Sequence, residues 1–149
     1  MSPPGATYGQ TTEAPPHRAQ AAFSALGVLA PSLDARSRAE ALQPVLQAMS
    51  RARGCGSALC AAAAALVNLT SERYEAAPDY TSVVTALVAA MAACPELAQL
   101  QETACDCISN VAADDSGEDT AVQHGALEAV QNVRQSQIYI RLTLLITGC

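Results

Sequence analysis

Tryptophan and lysine are absent from this 149-residue chain, and phenylalanine appears once. With aromatics at 3%, any core must be filled by small and branched aliphatic side chains. Charge is also scarce, at 15% of residues, and it leans negative. Eight basic side chains, all arginine, stand against fourteen acidic ones, for a net charge of −6. An acidic chain is repelled by a phosphate backbone, which argues against a general nucleic-acid binder. Net charge is too low, and an apolar share of 50% too high, for a disordered chain. No strict glycine period suggests collagen, and six cysteines in this length do not make a disulfide-stapled miniprotein. The longest strongly apolar stretch, Ile138 to Ile146, is interrupted by Arg141 and falls far short of the roughly 20 residues a spanning helix needs. The opening Met1-Ser-Pro-Pro-Gly-Ala-Thr-Tyr-Gly has neither a basic n-region nor an apolar h-region, and Ser2 excludes myristoylation at that site. The expectation is a protein that is not secreted and not in a membrane, cytoplasmic with the nucleus also open. Cys55, Cys60, Cys94, Cys105, Cys107 and Cys149 then read as reduced thiols serving as small hydrophobes. Asn68-Leu69-Thr70 fits the glycosylation pattern but sits inside a helical pattern, where it is read as part of the helix.

What the chain has is alanine, 32 residues of it, the best helix former and small enough to let helices approach closely. Residues 1–16, with Pro3, Pro4, Pro15 and Pro16, read as a flexible tail. From there the pattern is helical. Six segments stand out: Arg18–Ala30, Ala41–Arg53, Ala58–Thr70, Ser82–Cys94, Glu96–Ala113 and Ala126–Gln135. Short helices are expected over Arg36–Glu40, Glu72–Ala76 and Glu118–His124. Gly54 and Gly56 break one helix, with Ser57 placed to cap the next. Pro95 suits a first helical turn. Ser116 with Asp119 resembles a capping box, and Gly125 permits a sharp corner.

The chain also matches itself. A shift of 42 residues lays Ala58, Ala62, Ala65, Leu66, Asn68 and Leu69 on Leu100, Ala104, Cys107, Ile108, Asn110 and Val111. The apolar members run i, i+4, i+7, i+8, i+11, one stripe of a helix. The same shift lays Val45, Ala48 and Met49 on Leu87, Ala90 and Met91. A shift of 43 lays Val84 and Leu87 on Leu127 and Val130, and one of 40 lays Ala22, Leu26 and Leu29 on Ala62, Leu66 and Leu69. Two helix types therefore alternate. A period of roughly 40–47 residues with two or three helices per unit is the mark of a helical solenoid, in which stacking hides faces that one unit cannot hide alone.

Leu100-Gln-Glu-Thr-Ala-Cys-Asp-Cys-Ile-Ser-Asn-Val-Ala-Ala-Asp resembles the last helix of an armadillo repeat, and Ala-Ala-Ala-Leu66-Val-Asn68-Leu69-Thr matches the same pattern. Thr120-Ala-Val-Gln-His-Gly125-Ala-Leu-Glu-Ala-Val130 looks like the family's first helix, glycine corner and second helix. The resemblance covers roughly residues 18–136. It implies an all-α, right-handed α-solenoid (an armadillo-like superhelix) of about three repeats over residues 17–136. Residues 137–149 form an atypical C-terminal segment, β-branched and unlike the expected final helix. Val28 stands where the first unit would carry its asparagine. Ala64 and Asp106 stand where nuclear-import receptors often carry tryptophan, so transport-signal binding by that route is not expected.

In that family the last helices of successive repeats line a concave groove, and their asparagines bond the backbone of an extended peptide. The resemblance gives this role to Asn68 and Asn110. An amide offers donor and acceptor together and can pair with any peptide unit. The alternative is that each asparagine bonds backbone of neighbouring turns or loops. Glu102, Asp106 and Asn110, at i, i+4 and i+8, share one helix face; the preceding unit has Cys60, Ala64 and Asn68 there. An acidic strip beside an apolar floor complements an extended segment with basic or mixed side chains, unless the strip is merely a solvated helix face.

Other chemistry fits poorly. Cys105 and Cys107 point about 200° apart on a helix and cannot share a tetrahedral zinc. The histidines, His17 and His124, form no nucleophile pattern with a cysteine. Asp114–Asp119 lacks the ligand spacing of a calcium loop. No cofactor or metal is expected, and no enzyme. The function read from the sequence is a non-catalytic scaffold that binds an extended protein segment in its groove. The alternative is a structural part of a longer armadillo solenoid whose binding site lies elsewhere. The apolar Leu142–Ile146 favours such incompleteness, or self-association.

Overall fold

Alanine- and leucine-rich stretches become helices wherever the chain is described. The structure is a computed structural model describing residues 16–71, 80–113 and 115–135. Its elements are α1 (Pro16–Leu29), a 3-10 turn (Ala30–Ser32), α2 (Ala35–Arg51), α3 (Gly56–Thr70), α4 (Tyr80–Ala93), α5 (Ala98–Ala112), α6 (Asp115–Gln123) and α7 (126–135). The fold is all-α, with no strand among the described residues. The expected tail up to residue 15, the short helix Glu72–Ala76 and the segment 137–149 lie outside the described residues.

Helix boundaries follow local chemistry that the periodicity alone misplaces. The tail was expected to include Pro16, but that residue opens α1. Its missing N–H matters little in a first turn, where the donors lack helical partners. The expected helices Arg36–Glu40 and Ala41–Arg53 are one, α2. Asp34 caps it: its carboxylate accepts from the Ser37 N–H at 2.7 Å, and that bond holds its pKa below the ordinary value. Pro44 sits inside α2 on the exposed side, where, lacking an N–H, it cannot donate to the Glu40 carbonyl. Cys55 rather than Ser57 is the N-cap of α3, and Ser57 lies in the first turn. Pro95 falls in the link between α4 and α5, and α6 starts at Asp115, which puts Ser116 inside the helix. Gly125 turns the corner into α7 with φ +75°, a conformation that favours glycine.

The helices form two rows. α3 lies between α1 and α5; α2 packs on α3 and α4 on α5, with α2 and α4 side by side; α6 seats on both α4 and α5. Leu59, Leu66, Leu69, Val83, Val84, Leu87, Leu100 and Val111 are completely buried along the seam. Small residues set how closely neighbours within a row approach. At Gly27 of α1 an added Cβ would stand 3.7 Å from the Ala65 Cα of α3.

Both stripes found by self-comparison are buried: Ala58, Ala62, Ala65, Leu66 and Leu69 on α3, and Leu100, Ala104, Cys107, Ile108 and Val111 on α5. The third match fails on α1. Ala22 and Leu29 are exposed and Leu26 only half-buried, while Phe23, Gly27 and Ala30 go inward. Among the described residues α1 has a row neighbour, α3, on one flank only, and its buried face turns toward that helix.

Two residues hold joints together. Arg38, 3% exposed, donates from Nε to the Leu33 carbonyl at 2.9 Å and from Nη2 to the Pro31 carbonyl at 3.1 Å, tying the 3-10 turn to α2. Gly117 of α6 lies against α5 so closely that a Cβ would collide with the Val111 carbonyl. Gly117→Ala is therefore expected to lower unfolding free energy by about 1–3 kcal/mol in urea titration, as overpacking does. An unchanged midpoint would mean that α6 does not hold this seat.

Candidate functional site

The surface of interest is carried by α3 and α5. Asn68 and Asn110 are half-buried at matching places near the ends of these helices. Asn68 Nδ2 donates to the Gly27 carbonyl of α1 at 2.9 Å, and Asn110 Nδ2 donates to the Val67 carbonyl of α3 at 3.3 Å. The same tie thus occurs twice, each reaching one helix back along the row, across 41 and 43 residues. Each amide therefore has a structural partner, though in the preceding helix of the row and not in its own turn. No hydrogen bond among the described residues engages either side-chain oxygen. The ties fix both amides in orientation and engage only their N–H donors among the described residues.

Glu102 and Asp106 are exposed on the face of α5 that leads to Asn110. Neither carboxylate is in an ion pair among the described residues; the pair that is present, Arg36–Glu40 at 2.8 Å, lies on α2. On α3 the matching line is the half-buried Cys60 and the exposed Ala64, followed by Asn68. The strip is acidic on one helix and small and apolar on its neighbour, as the sequence spacing requires.

The thiols have separate environments. Cys107 is fully buried, its Sγ 3.5 Å from the Thr70 hydroxyl of α3, and burial pushes its pKa up to about 11. It is a neutral core side chain at pH 7, unsuited to ligating a metal as thiolate. Cys105 is half-buried and is also shifted up, by burial and then by the Asp106 charge. Cys55 shifts the other way: the Ser57 hydroxyl and then the Ala58 N–H stabilise its thiolate. Among the described residues no three His, Cys, Asp or Glu side chains group as metal ligands, and no helix is long and apolar enough to cross a membrane. His17 is exposed on α1, and His124 Nδ1 lies 3.5 Å from the Thr85 hydroxyl. Asp114 and the side chains of Asp115, Ser116 and Glu118 in the acidic loop are outside the described residues. In the Asn68-Leu69-Thr70 triplet, the asparagine is tied to α1 and the threonine hydroxyl is buried on the Leu66 carbonyl at 2.8 Å.

Sequence reasoning missed Gln101. It is 4% exposed, and its Nε2 donates to the carbonyls of Met91 at 3.0 Å and Cys94 at 2.9 Å, closing the end of α4. The residue also floors a cleft of about 270 Å³ between α4 and α7. The corresponding joint between α2 and α4 holds only about 40 Å³. At a shift of 42, its Arg53 and Leu59 become Pro95 and Gln101. A long side chain is lost and an amide is turned away to bond backbone, which opens the joint. Only the aligned pairs could have revealed this, since neither residue is unusual by itself.

Compared with known proteins, the chain matches no family profile, no curated protein and no solved structure.

Proposed function

We propose that the chain is an armadillo-like solenoid of about three units that binds an extended, basic or mixed protein segment along α1, α3 and α5, without catalysis. The observation that carries this reading is the recurring tie: Asn68 to the Gly27 carbonyl and Asn110 to the Val67 carbonyl. One geometry used twice, about one sequence period apart, supports units stacked in register. It also uses only the N–H side of each amide among the described residues, and a backbone N–H or an arginine of a partner could donate to the oxygens. Glu102 and Asp106 supply the charge that draws basic side chains, and Ala64 leaves room beside them. The partner would be a protein, with no nucleic acid, membrane or cofactor involved, and the compartment would be cytoplasmic or nuclear.

The test uses ten-residue extended peptides alternating arginine and alanine, titrated against the protein at several salt concentrations. Glu102→Ala with Asp106→Ala is expected to weaken binding about tenfold and to flatten the salt dependence, about 1.4 kcal/mol spread over two exposed contacts. Equal affinity and equal salt slope in both proteins would remove the strip from the site.

A second reading, a structural part of a longer row of units, is favoured by apolar exposure at the end of α1. There Val28 is 80% and Leu29 56% exposed. Apolar side chains at the end of a row suit a further unit stacked on them.

A further inference from the structure

Cys60 lies on α3, and Cys94 lies in the link between α4 and α5. Both are free thiols, half-buried at the edge of the apolar core. The fold brings the link onto the start of α3. It folds as a turn, the Leu97 N–H donating to the Cys94 carbonyl at 3.1 Å. A Cβ added at Gly56, the first residue of α3, would stand 2.8 Å from the Leu97 Cδ2. Cys60 follows Gly56 by one helical turn on the same face. Cys94 is held in place from the other side, since the Gln101 Nε2 donates to its carbonyl at 2.9 Å. The electrostatics agree with this placement. Burial, and after it the charge of Cys94, push the Cys60 pKa up. Between solvent-facing groups such an influence fades beyond about 10 Å.

We propose that Cys60 and Cys94 form a dithiol site that hydrogen peroxide converts to a disulfide, clamping the start of α3 to the link between α4 and α5. One thiol, as thiolate, attacks the peroxide; an S–O bond forms, the O–O bond breaks, and the departing hydroxide takes up a proton and leaves as water. The second sulfur attacks that sulfenic sulfur; an S–S bond forms, the S–O bond breaks, and a second water leaves. The pair thus gives two electrons and two protons to the peroxide. Cys55, whose thiolate is favoured, is the better nucleophile alone. What selects Cys60 and Cys94 is that each has the other at hand. α3 is already tied to α5 near its far end, where the Asn110 Nδ2 reaches the Val67 carbonyl. The disulfide joins the same two units at the beginning of the helix. The inference goes beyond the proposed function and does not rest on peptide binding.

Limited oxidation of the full chain by hydrogen peroxide tests it, with alkylation of the remaining thiols, chymotryptic digestion and mass spectrometry. Cleavage after Leu59 separates Cys60 from Cys55, and cleavage after Leu97 separates Cys94 from Cys105 and Cys107. In the native monomer the peptide linked through Cys60 and Cys94 is expected to exceed any other cysteine pair about tenfold, because only neighbouring sulfurs can meet disulfide geometry. Cys55→Ser should leave that yield unchanged, and Cys60→Ser or Cys94→Ser should abolish it. In concentrated urea the preference should disappear, which would show that the fold and not the sequence makes the pair. The wild-type map carries the proposal by itself, so a serine variant that fails to fold does not disable the test. Cys60 and Cys94 still open to alkylation after Cys55 has been oxidised would overturn it. So would either of them bonded mainly to another cysteine or to a second chain, or a preference that persists unchanged in urea.

Discussion

Leu66→Asp is expected to leave the chain without cooperative structure, and Ile108→Asp to do nearly the same. Leu66 is wholly buried at the centre of α3, the helix between α1 and α5. Leu66 belongs to the apolar core cluster, and a carboxyl buried there must lose its hydration or take up a proton, at a cost comparable with the roughly 5–15 kcal/mol by which a domain is stable. Ile108 holds the matching place on α5 and is 6% exposed. The milder Leu66→Ala should cost about 3 kcal/mol through lost transfer energy and the cavity left behind. Circular dichroism and thermal melting check the series, with Ala64→Asp as control. Ala64 lies on the same helix but is exposed, so that variant should keep full helicity. If Leu66→Asp melts like the wild type, the stripe has been placed on the wrong face.

The second large effect is expected at a charged residue. Arg38→Met keeps most of the stem's volume and removes the guanidinium that bonds the Pro31 and Leu33 carbonyls. Hydrogen bonds from a charged donor contribute about 1.5–3 kcal/mol each, and the carbonyls left behind must find other donors at a nearly closed joint. A net loss of about 3 kcal/mol is expected in urea unfolding, reduced because removing a buried charge also relieves its desolvation. Two positions earlier, Arg36 pairs with Glu40 in full solvent. Arg36→Met should leave the melting temperature unchanged, since an exposed pair is screened. The two arginines thus make a matched comparison within one helix turn. If both variants behave alike, the carbonyl bonds of Arg38 contribute nothing.

How far the sequence anticipates these features depends on what each is made of. The stripes on α3 and α5 were legible because they are periodic and because the same intervals occur twice. Asn68 and Asn110 were legible as a recurring pair, and Glu102 and Asp106 as a line on one face. What the amides bond was not legible, since the carbonyls of Gly27 and Val67 belong to backbone and carry no side-chain signature. The buried face of α1 was misread for a related reason. Ala22, Leu26 and Leu29 match α3 in type, but periodicity records which residues could be inside, not which neighbours exist to cover them. Boundaries depended on single bonds, such as the Ser37 N–H to Asp34, that compete with pattern over only one or two positions. Arg38 and Gln101 look like surface residues in the sequence; only the fold brings backbone carbonyls to their heads.

The thiol of Cys107 has one more consequence. It is neutral across the physiological range and shut in between α3 and α5, so an alkylating reagent can reach it only when those helices part. Cys55, half-exposed and with its thiolate favoured, should react first and without any opening. The molecule thus carries its own pair of clocks. One reads the reagent, and the other reads how often the heart of the row breathes.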